Sequence, residues 1–108
     1  MPRQVSLTTE ALTDLRQAKE WYDAKRSGLS AALCDELEDA LSQIAEHPLR
    51  WPFVVGEARR FRLNRFPFSI PYLVVDDHII VLGVLQGARN PEILYRRLHK
   101  YGGETKEE

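Results

Sequence analysis

The feature that most constrains this chain is a change of hydrophobic period near its middle: before Glu57 the apolar residues recur at helical spacing, and after it they alternate. Leu12, Leu15, Ala18 and Tyr22, with Ala11 beside them, mark one face of a helix running to about Arg26. Thr8 or Thr9 supplies its N-cap, and Glu10 places a negative charge in its first turn. Gly28 breaks that helix. Leu29, Leu33, Leu37, Leu41 and Ile44 define a second one, which stops before His47-Pro48 because a residue preceding proline resists helical geometry. Together they predict an antiparallel helical hairpin, with Asp35, Glu36, Glu38 and Asp39 as its solvated side.

Beyond Glu57 the alternation predicts strands. Arg60, Arg62 and Asn64 alternate with Phe61 and Leu63, giving one basic and one apolar face. Phe66 to Val75 forms a second strand, in which Pro71 cannot donate a ladder hydrogen bond and so predicts a gap, a bulge or an edge. Asp76-Asp77, helped by His78, makes a turn into Ile79 to Leu85, apolar on both sides and the best candidate for a central strand. Residues 3–7 alternate as a short opening strand, and Asn90-Pro91-Glu92 begins a helix over about 91–100 that ends near Gly102-Gly103. The expected fold is α+β in the order β-α-α-β-β-β-(α), a helical hairpin packed on an antiparallel-dominated sheet. One domain is expected over 1–103, with residues 104–108 a disordered tail.

Charge sharpens the picture. The net charge of −1 conceals a division along the chain: residues 1–57 carry six Lys/Arg against ten Asp/Glu, and residues 58–100 carry eight against three. The basic half is rich in arginine, with Arg59, Arg60, Arg62 and Arg65 followed by Arg89, Arg96 and Arg97. A guanidinium is permanently charged and presents a planar fork suited to carboxylate or phosphate, so these residues predict a flat site for an anionic partner. Catalysis is less well served. The chain has no Ser/His/Asp set, no glycine-rich phosphate loop and no histidine pair at metal-ligand spacing, so neither a cofactor nor a metal is expected. His47, His78 and His99 read as structural or exposed, and arginine does not readily give up its proton to serve as a base. Tyr95 and His99 are the only nearby groups that move a proton. Trp21-Tyr22 and Trp51-Pro52-Phe53 read as aromatic staples between helices and sheet.

Cys34 is the only cysteine, which excludes an internal disulfide and a cysteine-built zinc site. No apolar run approaches the roughly 18 residues of a membrane span, and residues 1–5 lack a signal-like apolar stretch. A reducing cytoplasm is the expected location.

Taken in order, the motifs form a continuous pattern: Ala18…Trp21-Tyr22, then Leu37-Glu38…Ala40-Leu41…Ile44…His47-Pro48…Trp51-Pro52, then Arg59-Arg60-Phe61…Leu63…Arg65-Phe66-Pro67-Phe68…Ile70…Tyr72, then Val81-Leu82…Val84…Arg89-Asn90-Pro91. This pattern resembles the RelE/ParE superfamily of type II toxin–antitoxin toxins, on the ParE-like side. The resemblance implies a cytoplasmic bacterial toxin held inactive by a cognate antitoxin, with contact to DNA running mainly through that antitoxin. It implies one of two targets. ParE-like members bind and poison DNA gyrase; RelE-like members enter the ribosome and cleave mRNA. In the second case Arg60, Arg62, Arg89 and Tyr95 would take the catalytic positions. Gln86 stands where some nucleolytic relatives carry a histidine, and glutamine does not titrate, so gyrase poisoning is the expected activity. Target and antitoxin binding is expected at Arg59, Arg60, Arg62, Arg65, Arg89, Arg96 and Arg97.

Overall fold

The computed structural model describes residues 4–87 and 91–102. Strand β1 (Gln4–Leu7) leads into helices α1 (Thr9–Lys25) and α2 (Leu29–Glu46). Strands β2 (Phe53–Val55), β3 (Ala58–Arg62), β4 (Phe68–Val75), β5 (His78–Val81) and β6 (Leu85–Gln86) follow, and then helix α3 (Pro91–Lys100). The helical hairpin forms as its spacing predicts. Thr8 Oγ1 accepts from the Ala11 N–H at 3.1 Å and caps α1. Gly28 turns the chain at φ +90°, a conformation open to glycine but strained for a side chain. Asp23 secures the same turn, its carboxylate accepting from the Ser30 N–H at 3.1 Å and hydroxyl at 2.8 Å.

The strands lie in the order β1-β5-β4-β3-β2, with β6 paired to β4. Every pairing is antiparallel except that of β1 with β5. The α+β expectation therefore holds; β5 lies inside the sheet between β1 and β4, but β4, not β5, is the middle strand. Two details differ from the sequence reading. A strand, β2, lies at Phe53–Val55, where only an aromatic staple was foreseen. The strand foreseen over 79–85 is broken, because β4 pairs with β5 as far as Tyr72↔Val81 and resumes with β6 at Ser69↔Leu85.

Pro71 explains the break. The Leu82 N–H donates to the Pro71 carbonyl at 2.8 Å, but proline has no N–H to return. Arg97 supplies the missing donor, its Nη1 reaching the Leu82 carbonyl at 3.0 Å. One residue pair further on, the Val84 N–H donates to Asp14 Oδ2 at 3.0 Å. Asp14 and Arg97 are themselves joined at 2.7 Å, so two side chains from different helices complete a ladder that the backbone leaves open. Gly83 makes room for them: a methyl group there would lie 2.6 Å from Arg97 Nη1 and 3.0 Å from Asp14 Oδ2.

The pleat divides the core into two. On one face α1 and α2 bury Leu33, Leu37 and Ile44 against Ile70, Tyr72 and Ile79. The Tyr72 hydroxyl donates to the Pro48 carbonyl at 2.7 Å, and burial pushes this phenol up to about 12. On the other face Leu94 and Leu98 of α3 cover Ala58, Leu73 and Leu82. At the C-terminal end of α3, Lys100 Nζ lies 2.7 Å from Glu10 Oε2, and the Tyr101 hydroxyl donates to Glu10 Oε1 at 2.5 Å.

Candidate functional site

Alternation along β3 sends its arginines to opposite faces of the sheet. Arg59 stands opposite Tyr72 on the side of the helical hairpin, whereas Arg60 and Arg62 stand opposite Pro71 and Ser69 on the side of α3. Arg59 is engaged within the molecule. Its Nη1 donates to the Leu49 and Trp51 carbonyls at 3.1 and 2.7 Å, and its guanidinium lies 4.0 Å from the Phe53 ring centre. The side chains of Arg60 and Arg62 have neither a hydrogen bond nor an ion pair among the described residues. They line two adjoining hollows. The larger, of about 500 Å³, runs between β2, β3, β4 and the start of α3, with Val54, Val55, Pro71, Ile93 and Leu94 among its walls. The smaller, of about 180 Å³, continues from Arg60 and Ser69 to Arg62 and Pro67. The result is a trough with mostly aliphatic walls at one end and Arg62 beside Leu63, Phe66 and Phe68 at the other, with Arg60 lining both.

The other foreseen residues are dispersed. Arg65 is exposed in the loop after β3, beside the Phe66 ring. Glu36 holds this loop, its carboxylate accepting from the Asn64 N–H at 2.6 Å and the Arg65 N–H at 3.1 Å. Glu36 is therefore not part of a solvated face, although Asp35, Glu38 and Asp39 are exposed as expected. Arg96 and Tyr95 are exposed on α3, and neither lines the trough. Arg97 is committed to Asp14 and Leu82, with its side chain only 17% exposed. Arg89, with the proposed cap Asn90, lies outside the described residues. The sequence reading missed the apolar wall formed by Val54, Val55, Ile93 and Leu94. Its signal was available in the four-residue spacing of Leu94 and Leu98, which gives the last helix one apolar stripe.

Chemically, the trough can bind but is poorly equipped to move protons. Its described walls carry no His, Lys, Tyr, Asp or Glu, and Gln86 lines the larger hollow where a titratable side chain would be needed. No group of three His, Cys, Asp or Glu among the described residues is arranged to hold a metal. No helix among them is long and apolar enough to cross a membrane. The aromatic staples divide likewise. Tyr22 packs edge-on to Phe66 and Trp51 packs on Phe61, with centroids 5.1 and 4.8 Å apart. Trp21 and Phe53 stay more than half exposed, at 56% and 58%.

Known structures share this architecture. The chromosomal ParDE toxin–antitoxin system of P. aeruginosa contains a chain that superposes with a TM-score of 0.72 at 19% identity, covering 80% of this chain and 97% of that one. A mutant of the E. coli toxin RelE in the free state gives 0.69 at 17% identity, covering 93% of this chain and 98% of the other. A chain of the RelBE2 toxin–antitoxin complex from Mycobacterium tuberculosis gives 0.55 at 22% identity, covering 80% and 99%. At these identities the likeness speaks for the fold alone. None of the curated proteins matches the sequence significantly. The family model for the ParE toxin of type II toxin–antitoxin systems matches residues 5–91, most of the chain from β1 to the first residue of α3. The chain belongs to the ParE toxin family of type II toxin–antitoxin systems.

Proposed function

We propose that this toxin arrests growth by binding DNA gyrase and trapping it on cleaved DNA, and that a cognate antitoxin neutralises it by covering the same trough. One observation carries the preference for binding over chemistry. Arg60 and Arg62, whose side chains have no hydrogen bond or ion pair among the described residues, line described walls without a titratable neighbour. Arginine stabilises negative charge without itself accepting a proton at neutral pH, so the arrangement supports docking to an anionic surface. Cleavage of RNA through its 2′-hydroxyl needs a group to take that proton. Toxin and antitoxin then act where nucleic acid and topoisomerase are found, in the cytoplasm.

The test is purified toxin with gyrase and supercoiled plasmid. The expected result is accumulation of linear, gyrase-linked DNA, relieved by the product of the neighbouring antitoxin gene. Undisturbed gyrase together with cleavage of ribosome-bound mRNA would overturn the reading in favour of the RelE-like activity.

A further inference from the structure

The sequence reads Trp21-Tyr22 as a single staple, but the fold uses only one of the two rings for that purpose. Tyr22 is seated among aromatic neighbours, edge-on to Phe66 at 5.1 Å and to Phe68 at 6.1 Å, whereas Trp21 stays 56% exposed. The exposed indole borders a hollow of about 390 Å³ beside α1. Asp14, Gln17, Ala18 and Trp21 reach it from one stripe of that helix, at spacings of three and four. The walls combine three aromatic rings, those of Trp21, Tyr22 and Phe68, with the side-chain amides of Gln17 and Gln86. Neither side-chain amide has a hydrogen-bond partner among the described residues. Asp14 is already engaged, its carboxylate accepting from Arg97 and from the Val84 N–H. Beside the hollow, Lys25 Nζ stands 4.4 Å from the centre of the Trp21 ring and meets no carboxylate among the described residues.

We infer that this hollow binds a nucleobase, adenine above the others, carried by a free nucleotide or by an unpaired position of single-stranded DNA. The base lies against the Trp21 ring, a glutamine amide meets its hydrogen-bonding edge, and the Lys25 ammonium meets the phosphate on its sugar. Three arguments lead to this ligand. Every base has a π-face, so exposed aromatic side chains hold unstacked bases. A glutamine amide carries a donor and an acceptor side by side, the pattern that matches N7 and N6 of adenine. An aliphatic peptide side chain in the same place would cover both amides without giving either a partner, which costs free energy that a base edge does not. The volume falls in the range of a small-ligand pocket and admits a base with its sugar. The inference goes beyond the gyrase reading, because it gives the chain a contact to nucleic acid of its own, and it does not depend on that reading.

The probes are dAMP and a short oligodeoxyadenylate, each titrated into isotope-labelled full-length toxin and followed by chemical shifts. With dAMP, shifts are expected at the Trp21 indole N–H and at the side-chain amides of Gln17 and Gln86, while Val54 and Val55 in the trough stay unmoved. dCMP should bind about tenfold more weakly, and the double variant Gln17→Ala/Gln86→Ala should erase that preference. Trp21→Ala should weaken dAMP about tenfold, and Trp21→Phe, which keeps a ring, should recover part of the loss. Thermal unfolding of the Trp21 variants should stay close to the parent's, because more than half of this side chain is exposed. Tighter binding of the oligonucleotide than of dAMP assigns the site to a DNA strand, and a response to dAMP alone assigns it to a free nucleotide. An unmoved Trp21, equal shifts with deoxyribose 5-phosphate, or affinity indifferent to Trp21→Ala would overturn the inference. Protection of Trp21 by the neighbouring antitoxin, with neither nucleotide probe binding there, would overturn it as well. If gyrase-linked DNA accumulates in the plasmid assay while Trp21 stays unmoved by the nucleotides, only the base site falls.

Discussion

On one face of the sheet, α1 and α2 bring Leu33, Leu37 and Ile44 against Ile70, Tyr72 and Ile79 in a continuous apolar layer. On the other, α3 brings Leu94 and Leu98 against Ala58, Leu73 and Leu82, and most of its remaining hold is polar. Asp14 grips Arg97, and Glu10 grips Lys100 and Tyr101. The apolar packing of the first face carries no charge to titrate and is non-directional. The second depends on a few directional contacts made to the first turns of α1. The hollows that hold Arg60 and Arg62 open on this second face, where α3 is fastened at its far end, while on the first face a hollow of about 390 Å³ lies beside α1, between Trp21, Tyr22 and Phe68.

The contrast can be broken by mutation. Ile70→Ala removes a fully buried side chain from the first face and should cost about 3 kcal/mol of unfolding free energy, read by urea denaturation. A loss comparable to that of a surface substitution would show that this face is not the principal core. Asp14→Asn strikes the second face. It leaves the largely buried Arg97 guanidinium without its counter-charge and Val84 with a poorer acceptor, and should cost about 2 kcal/mol. In hydrogen exchange this loss should appear first as faster exchange in α3 and β6, with the helical hairpin unchanged. Uniform loss of protection would mean that the two faces unfold as one.

The smallest effect is one of pH. Lys100 and Tyr101 hold the Glu10 carboxyl down at about 2, below its ordinary 4.5. A carboxyl lowered by folding contributes stability above its unfolded value and loses it as the pH falls toward the folded one. Protection of the last turn of α3 should therefore be full above pH 4.5 and decline toward pH 2. Glu10→Gln should flatten the part of that decline due to this contact. An unchanged profile in the variant would assign the decline to other carboxylates.

How far these features could be read from the sequence follows the range of the interactions that produce them. The hairpin was legible because i, i+4 spacing is local, and so was the separation of Arg60 and Arg62 from Phe61 along β3. Pro71 announced a defect in the ladder, but not which groups would mend it. Asp14 and Arg97 are 83 positions apart, and no short-range pattern links them. Arginine identity was equally uninformative about use. Arg59 and Arg60 are neighbours in sequence, yet the side chain of one is stacked on Phe53 while that of the other has no hydrogen bond or ion pair among the described residues. Glu36 looked like any acid on a helix until the backbone of the loop at Asn64 and Arg65 came within reach. The trough itself needed α3 to be placed over the sheet, which sequence spacing does not do.

The donor that Arg97 lends to the Leu82 carbonyl also ties the completion of the sheet to the docking of a helix. In any state in which β4 and β5 have paired but α3 has not docked, the carbonyl opposite Pro71 lacks its protein donor. The contact that completes the ladder is therefore the same one that brings up the α3 wall of the trough.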